Sequence, residues 1–298
     1  MLNKTNNKAA YLSLAVTSTV WGTTWVCSRY AVEYIPGLQV SYLRQFFGGS
    51  LLLIFFFLKG EKLPTWQQFK WLFVVSIFMF VLNNGLATWS VKYISSGLAS
   101  LIAALCPIFI VLLEMIFFKK SNTTLLTFIG LLVGIAGVIF VFYENAFQKQ
   151  PPGYIFGVTI CLVAVLAWSL GSLLITRNKF KMNSYYAMGW QMFLASFMIF
   201  LMAKATNNNI PLSSIPLNVW EAISYLVIVG SIIAFIAFIY SIKHLPPAVA
   251  SLYAYINPIV AMLVGAEVLH EAITFNLVIG SIITLAGVYL VNYSLRKG

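Results

Sequence analysis

Apolar runs of about twenty residues recur along the chain, separated by short breaks rich in Lys, Pro and Asn. A helix that crosses a bilayer needs roughly 20 mostly apolar residues. Taken run by run, the pattern predicts ten helical spans, at residues 11–31, 38–58, 71–91, 96–117, 123–143, 153–175, 185–203, 219–241, 247–269 and 274–294. The joins "KYISS" and "KHLPP" are so short that spans three and four, and spans eight and nine, must be antiparallel neighbours. The first run follows Lys4 and Lys8, as a secretory signal would. It nevertheless contains "WGTTW", lacks a clear small-residue cleavage site and is followed by many more runs, so it reads as an uncleaved first span. The expected fold class is an all-α integral membrane protein.

The pattern also repeats. Residues 99–109 read "ASLIAALCPIF" and residues 250–260 read "ASLYAYINPIV", identical at six of eleven positions, prolines included. Trp21 is matched by Trp168, Gln45 by Gln191, "WSVKYI" by "YSIKHL" and "GLLVGIAGVIFV" by "GSIITLAGVYLV". The matches place one five-span unit at residues 11–143 and a second at 153–294. An odd number of spans per unit makes the two cross in opposite senses. Such inverted repeats are the architecture of many secondary transporters, whose substrate site lies near the midplane between the units.

Composition bounds the solvent. The chain is 61% hydrophobic and 8% charged, against about a quarter charged in a soluble domain. The net charge of +11 is then a matter of loop placement and not of nucleic-acid binding. Thirteen Lys and Arg residues fall on the side shared by both termini and four (Arg29, Lys92, Lys149 and Lys204) on the other. Positive loops stay cytoplasmic, so both termini are expected inside, in the inner (cytoplasmic) membrane. The cysteines Cys27, Cys106 and Cys161 lie in apolar runs with no disulfide framework or metal spacing.

These stretches resemble a known family. "VWGTTWVCSRYAV", the Arg in "YLRQFFGGSLLL", "GLASLIAALCPIFIVLL" and "AVASLYAYINPIVAMLVGAEVLHEAIT" are similar to the EamA-like branch of the drug/metabolite transporter superfamily. The resemblance covers nearly the whole chain. It implies ten helices in two EamA-like domains around a central cavity, and export of amino acids or other small metabolites. Where a family half often carries Gly-Glu after its proline helix, this chain has His270-Glu271 in the second half and Lys119-Lys120 in the first. A mechanism built on a symmetric pair of glutamates is therefore not expected.

Ionisable groups within a membrane cost about 2.5–3.5 kcal/mol on insertion scales and face a cavity or a partner. Aspartate is absent from the chain. Arg44, in span two, is a candidate for capturing a substrate carboxylate or phosphate with its planar fork; the plain alternative is a structural ion pair or snorkelling. Glu114 and Glu267 are candidate proton carriers, the alternative for Glu114 being a pair with Lys119 or Lys120. In span one, Trp21, Thr24, Trp25 and Ser28 recur at i, i+3, i+4 and i+7, one stripe of indoles and hydroxyls. Trp89, Trp168, Tyr253 and Tyr255 are candidate additions to it, Asn257 is a further candidate contact, and Tyr11 and Trp71 read as interface residues. Gln45, Gln191, Asn83 and Asn84 must find hydrogen bonds in a dry bundle, either along a cavity or as staples between helices. Pro107 and Pro258 each remove a helical hydrogen bond and are candidate hinges for gating. Gly130, Gly134, Gly137, Gly280 and Gly287 make small-residue faces, suited either to a homodimer or to contact within the chain.

The expected function is a secondary transporter exporting a small metabolite by alternating access, without cofactor or metal. No phosphate-binding G-x-x-x-x-G-K loop occurs to couple ATP. A passive channel or lipid scramblase of the same architecture is the second reading. An intramembrane enzyme is disfavoured, because there is no aspartate and His244 and His270 sit at span ends.

Overall fold

The computed structural model describes residues 4–118, 124–147, 151–176, 180–245 and 247–297. These form helices with no strand among the described residues. The helices are α1 (Lys4–Tyr34), α2 (Gly37–Leu58), α3 (Trp66–Ser90), α4 (Ser96–Phe117), α5 (Leu125–Phe147), α6 (Tyr154–Thr176), α7 (Ser184–Ala205), α8 (Leu217–His244), α9 (Tyr253–Leu269) and α10 (Phe275–Lys297). Among the described residues, α2, α3, α4, α6, α7, α8 and α10 are long and apolar enough to cross a membrane, and α5 and α9 carry shorter apolar stretches.

The first span predicted from the sequence, 11–31, is a helix of 31 residues but is not among those seven. Its hydroxyls lower its hydropathy. Several of them are satisfied by their own helix: Thr17 Oγ1 donates to the Ser13 carbonyl at 2.9 Å and Ser18 Oγ to the Leu14 carbonyl at 2.7 Å. This back-bonding lets a hydroxyl-rich helix lie against apolar neighbours without orphaned polar groups.

Helix pairing follows the small residues. Helix α5 packs along α10, and α2 along α7. A Cβ on Gly130 would sit 2.8 Å from the Val291 nitrogen, and one on Gly287 would collide with the backbone of Gly134. Only glycine permits backbones this close, so the glycine faces of α5 and α10 are used within one chain. Helix α1 lies against α8 and α9, and α6 against α3 and α4.

Two helices contain wide π turns, Ile77–Gly85 in α3 and Leu226–Ile233 in α8. The π pattern leaves carbonyls out of the regular ladder, a feature that recurs at functional sites. The two proline motifs break their helices differently. Helix α4 is interrupted at Ala104–Leu105, just before Pro107, where Ala104 and Leu105 N–H groups reach back three residues. The other break falls at Ser251–Leu252, between the short turn Pro247–Ala250 and α9, and Pro258 lies inside α9. One sequence motif thus yields two break positions.

At the end of the bundle where α1 and α9 finish and α4 begins, one carboxylate ties three helices. His270 adopts a left-handed conformation (φ 54°), and the Glu271 N–H closes the turn on the Gly265 carbonyl at 3.2 Å. That turn aims Glu271 at the first turn of α4. Its oxygens accept from the Ser96 N–H at 2.9 and 3.1 Å and from Ser96 Oγ at 2.7 Å. A carboxylate suits a helix N-terminus. Arg29 of α1 stands 3.8 Å from the same carboxylate and donates to the Val91 carbonyl at 3.0 Å. Lys119 and Lys120, the counterparts in the first half, lie outside the described residues.

Candidate functional site

A cavity of about 150 Å³ lies among α1, α2, α3, α4, α6, α8 and α9. Helix α1 contributes Trp21, Thr24, Trp25 and Ser28, the whole stripe that its periodicity predicts. Arg44 comes from α2, Asn83, Asn84 and Thr88 from α3, Ser100 from α4, Trp168 from α6, Phe235 from α8, and Tyr253 and Asn257 from α9. Ala103, Ala104 and Ala164 leave the volume empty where larger side chains would fill it.

The π turn of α8 organises the charged wall. Arg44 is 6% exposed, and its Nε donates to Ser231 Oγ at 2.7 Å. The carbonyl of Gly230 accepts from the Trp21 indole at 3.3 Å, so α1 satisfies a group that the wide turn frees. A Cβ at Gly230 would lie 2.7 Å from Thr24 Cγ2 and 3.3 Å from an Arg44 terminal nitrogen; the missing side chain is what lets α1 and Arg44 approach together. In the π turn of α3, Asn84 Oδ1 accepts from Ser41 Oγ at 3.0 Å and from Gln45 Nε2 at 2.8 Å. Its amide is thereby held with the oxygen turned toward α2. The Asn257 amide nitrogen is placed to donate to the Ser18 carbonyl at 2.6 Å, joining α9 to α1.

Aromatic rings close one end. Trp21 is the hub, with centroids 5.0 Å from Phe235, 4.9 Å from Phe238, 5.4 Å from Tyr253 and 6.2 Å from Trp168. Beyond them a second cavity of about 330 Å³ is lined by Gln68, Trp71, Met79, Phe80, Met182, Met188, Gln191 and Lys243, among others. Trp168 and Phe235 line both cavities, so this pair is the partition. The second cavity faces the end of the bundle where α3 and α7 begin and α6 and α8 finish; the first extends toward the opposite end.

A match to the model of the EamA-like transporter family runs over residues 8–143 and again over 155–293. The chain belongs to the EamA-like transporter family. It is 29% identical, over 86% of its length and 81% of the relative's, to the Escherichia coli (strain K12) "Uncharacterized inner membrane transporter YedA". It is 22% identical to the Bacillus subtilis (strain 168) "Uncharacterized transporter YoaV", over 96% and 97% of the two chains. A solved crystal structure with 18% identity superposes with a TM-score of 0.67, covering 97% of this chain and 98% of that one; at that identity the likeness is one of fold. The protein is a multi-pass protein of the cytoplasmic (inner) membrane, and the bilayer is its solvent.

Within this EamA-like chain, seven of the residues singled out from the sequence as substrate-binding line one cavity: Trp21, Thr24, Trp25, Arg44, Trp168, Tyr253 and Asn257. Gln45 itself is 1% exposed and lines neither cavity. Gln191 lines the second cavity. Trp89 lies away from both, its ring 5.1 Å from Phe156. Glu114 is half-buried and Glu267 exposed, and neither lines a cavity. Phe235, Phe238, Ser231 and Gly230 are participants that the sequence reading missed. A Phe in an apolar helix carries no contrast, and only the small residues "GS" and "AA" at mid-span signalled that space is needed there.

Proposed function

We propose that this EamA-like protein is a secondary transporter that exports a small organic solute by alternating access, with the cavity at Arg44 as its substrate site. The observation that carries the reading is the pair of cavities facing opposite ends of the bundle, with Trp168 and Phe235 lining both. A carrier needs a site reachable from either face in turn and closed between them. The reading includes ten spans in two inverted five-helix units, 11–143 and 153–294, with both termini cytoplasmic. It is supported by the exchange of neighbours in which α1 lies on α8 and α9 while α6 lies on α3 and α4, and by the paired π turns. Substrate contacts are assigned to Trp21, Thr24, Trp25, Arg44, Trp168, Tyr253 and Asn257, and hinge motion to the breaks beside Pro107 and before Pro258. Coupling is the role left for Glu114 and Glu267, both away from the cavity. No catalytic step is part of the function.

The test is counterflow in proteoliposomes holding the full chain, preloaded with each member of a panel of amino acids, organic acids, nucleosides and polyamines. Saturable uptake of labelled solute, driven by unlabelled solute inside, is the expected result. Flux that is unsaturable and indifferent to the preload would favour the passive channel or scramblase instead.

A further inference from the structure

Burying a charge is tolerable only when another group answers it. Arg44 is nearly fully buried at the cavity wall, and what answers it within the chain is a neutral serine hydroxyl. Among the described residues the ion pairs are those of Arg29, with Glu33 and with Glu271. Among the described residues, no acidic side chain lines the cavity. A guanidinium carries five N–H donors in a planar fork; Ser231 fixes Nε and so orients the remaining edge without neutralising it. The groups nearby are hydroxyls and amides, Thr24, Ser28, Thr88 and Asn84, and the far wall is the aromatic cluster around Trp21.

Resting on the transporter reading above, we infer that the cargo is a small organic monocarboxylate with an aromatic or apolar tail, its carboxylate held by Arg44 and its tail against Trp21 and Trp168. The charge that answers Arg44 arrives with the cargo. One guanidinium balances one negative charge and pairs with a carboxylate through parallel hydrogen bonds. A phosphate monoester near −2 would leave charge uncompensated. A cationic cargo would meet Arg44 with no acidic group to offset it.

Four probes with one ring and different heads test this on the purified full chain in detergent: phenylacetate, phenylacetamide, phenethylamine and phenyl phosphate. Binding to the native state raises the melting temperature. Phenylacetate is expected to give a saturable rise, with affinity at least ~10-fold weaker in Arg44→Gln and partly kept in Arg44→Lys; the amide and amine give none. No shift with phenylacetate, equal affinity for the amide, tighter binding of phenyl phosphate, or unchanged phenylacetate binding in Arg44→Gln each overturns the inference. Should Arg44→Gln fail to give monodisperse protein, the wild-type head-group series and Ser231→Ala decide. A carboxylate preference that weakens in Ser231→Ala supports the site, and no preference overturns it. Counterflow separates the two readings. Phenylacetate that binds while neither it nor any member of the panel shows saturable counterflow breaks the transporter reading and leaves the carboxylate site. Saturable counterflow of the amine or amide, indifferent to Arg44→Gln, leaves transport and breaks the carboxylate site.

Discussion

Helix α1 lies against α8 and α9 while α6 lies against α3 and α4, and each sets a tryptophan into the same cluster, Trp21 and Trp168, with ring centroids 6.2 Å apart. One turn further along they part. After Trp21 come Thr24, Trp25 and Ser28, all on the cavity wall. After Trp168 come Gly171, which packs on Met79, and Ile175, which faces the second cavity. The next helices differ in the same way: α2 brings buried Arg44 to the cavity, whereas Trp190 of α7 lies among Phe57, Phe69 and Tyr186. Helices in similar settings can therefore share a scaffold while only one set carries polar chemistry. The polar lining of the first cavity comes mainly from α1, α2 and α3, and Trp168 of α6 and Phe235 of α8 line both cavities.

The largest expected break in this comparison comes from the two tryptophans. Trp21 has four ring neighbours and a hydrogen bond, so Trp21→Ala should lower stability by about 3–5 kcal/mol. Trp168 borders two empty volumes, so Trp168→Ala should cost clearly less while admitting bulkier solutes. Thermal unfolding of both variants in detergent checks the order, and equal losses would contradict it. Next come the glycines. A Cβ at Gly22 would meet Val260 at 2.5 Å and the Asn257 carbonyl at 3.1 Å, whereas one at Gly171 would meet Met79 Sδ at 2.6 Å. Gly22→Leu should destabilise by about 1–3 kcal/mol, and Gly171→Ala by less, because a methionine yields. Expression level and melting temperature report both. The smallest effects belong to hydroxyls. Thr24→Val with Ser28→Ala should weaken cargo binding several-fold, about the worth of one or two net hydrogen bonds. Ser172→Ala, on α6 and lining neither cavity, should leave binding unchanged in the same titration.

How much of this is legible from residues alone depends on whether one helix carries the information. The stripe Trp21–Thr24–Trp25–Ser28 is a periodicity within a single helix, and it lies on one wall as the 3.6-residue repeat requires. Arg44 stands out because a lone cation in an apolar run is rare. Gln45, Trp89 and Gln191 are candidates by residue type, but type does not decide which neighbour a side chain meets; Gln45 staples Asn84, and Trp89 turns to Phe156. The π turns leave no trace in the sequence beyond ordinary Asn, Gly and Ser residues within their segments. The two proline motifs share six of eleven letters, yet their breaks fall at different distances from the proline, so the motif alone does not locate the break.

The close pairing of α5 with α10 has a consequence for how the chain is made. Gly134 and its partner Gly287 are 153 residues apart in the sequence. At synthesis rates of about 5–20 residues per second, α5 waits roughly eight to thirty seconds for α10 to leave the ribosome. Through that interval its glycine face meets lipid or another nascent helix. Assembly of this face is thus a post-insertion event, and chains cut short before α10 would carry an uncovered adhesive stripe into the bilayer.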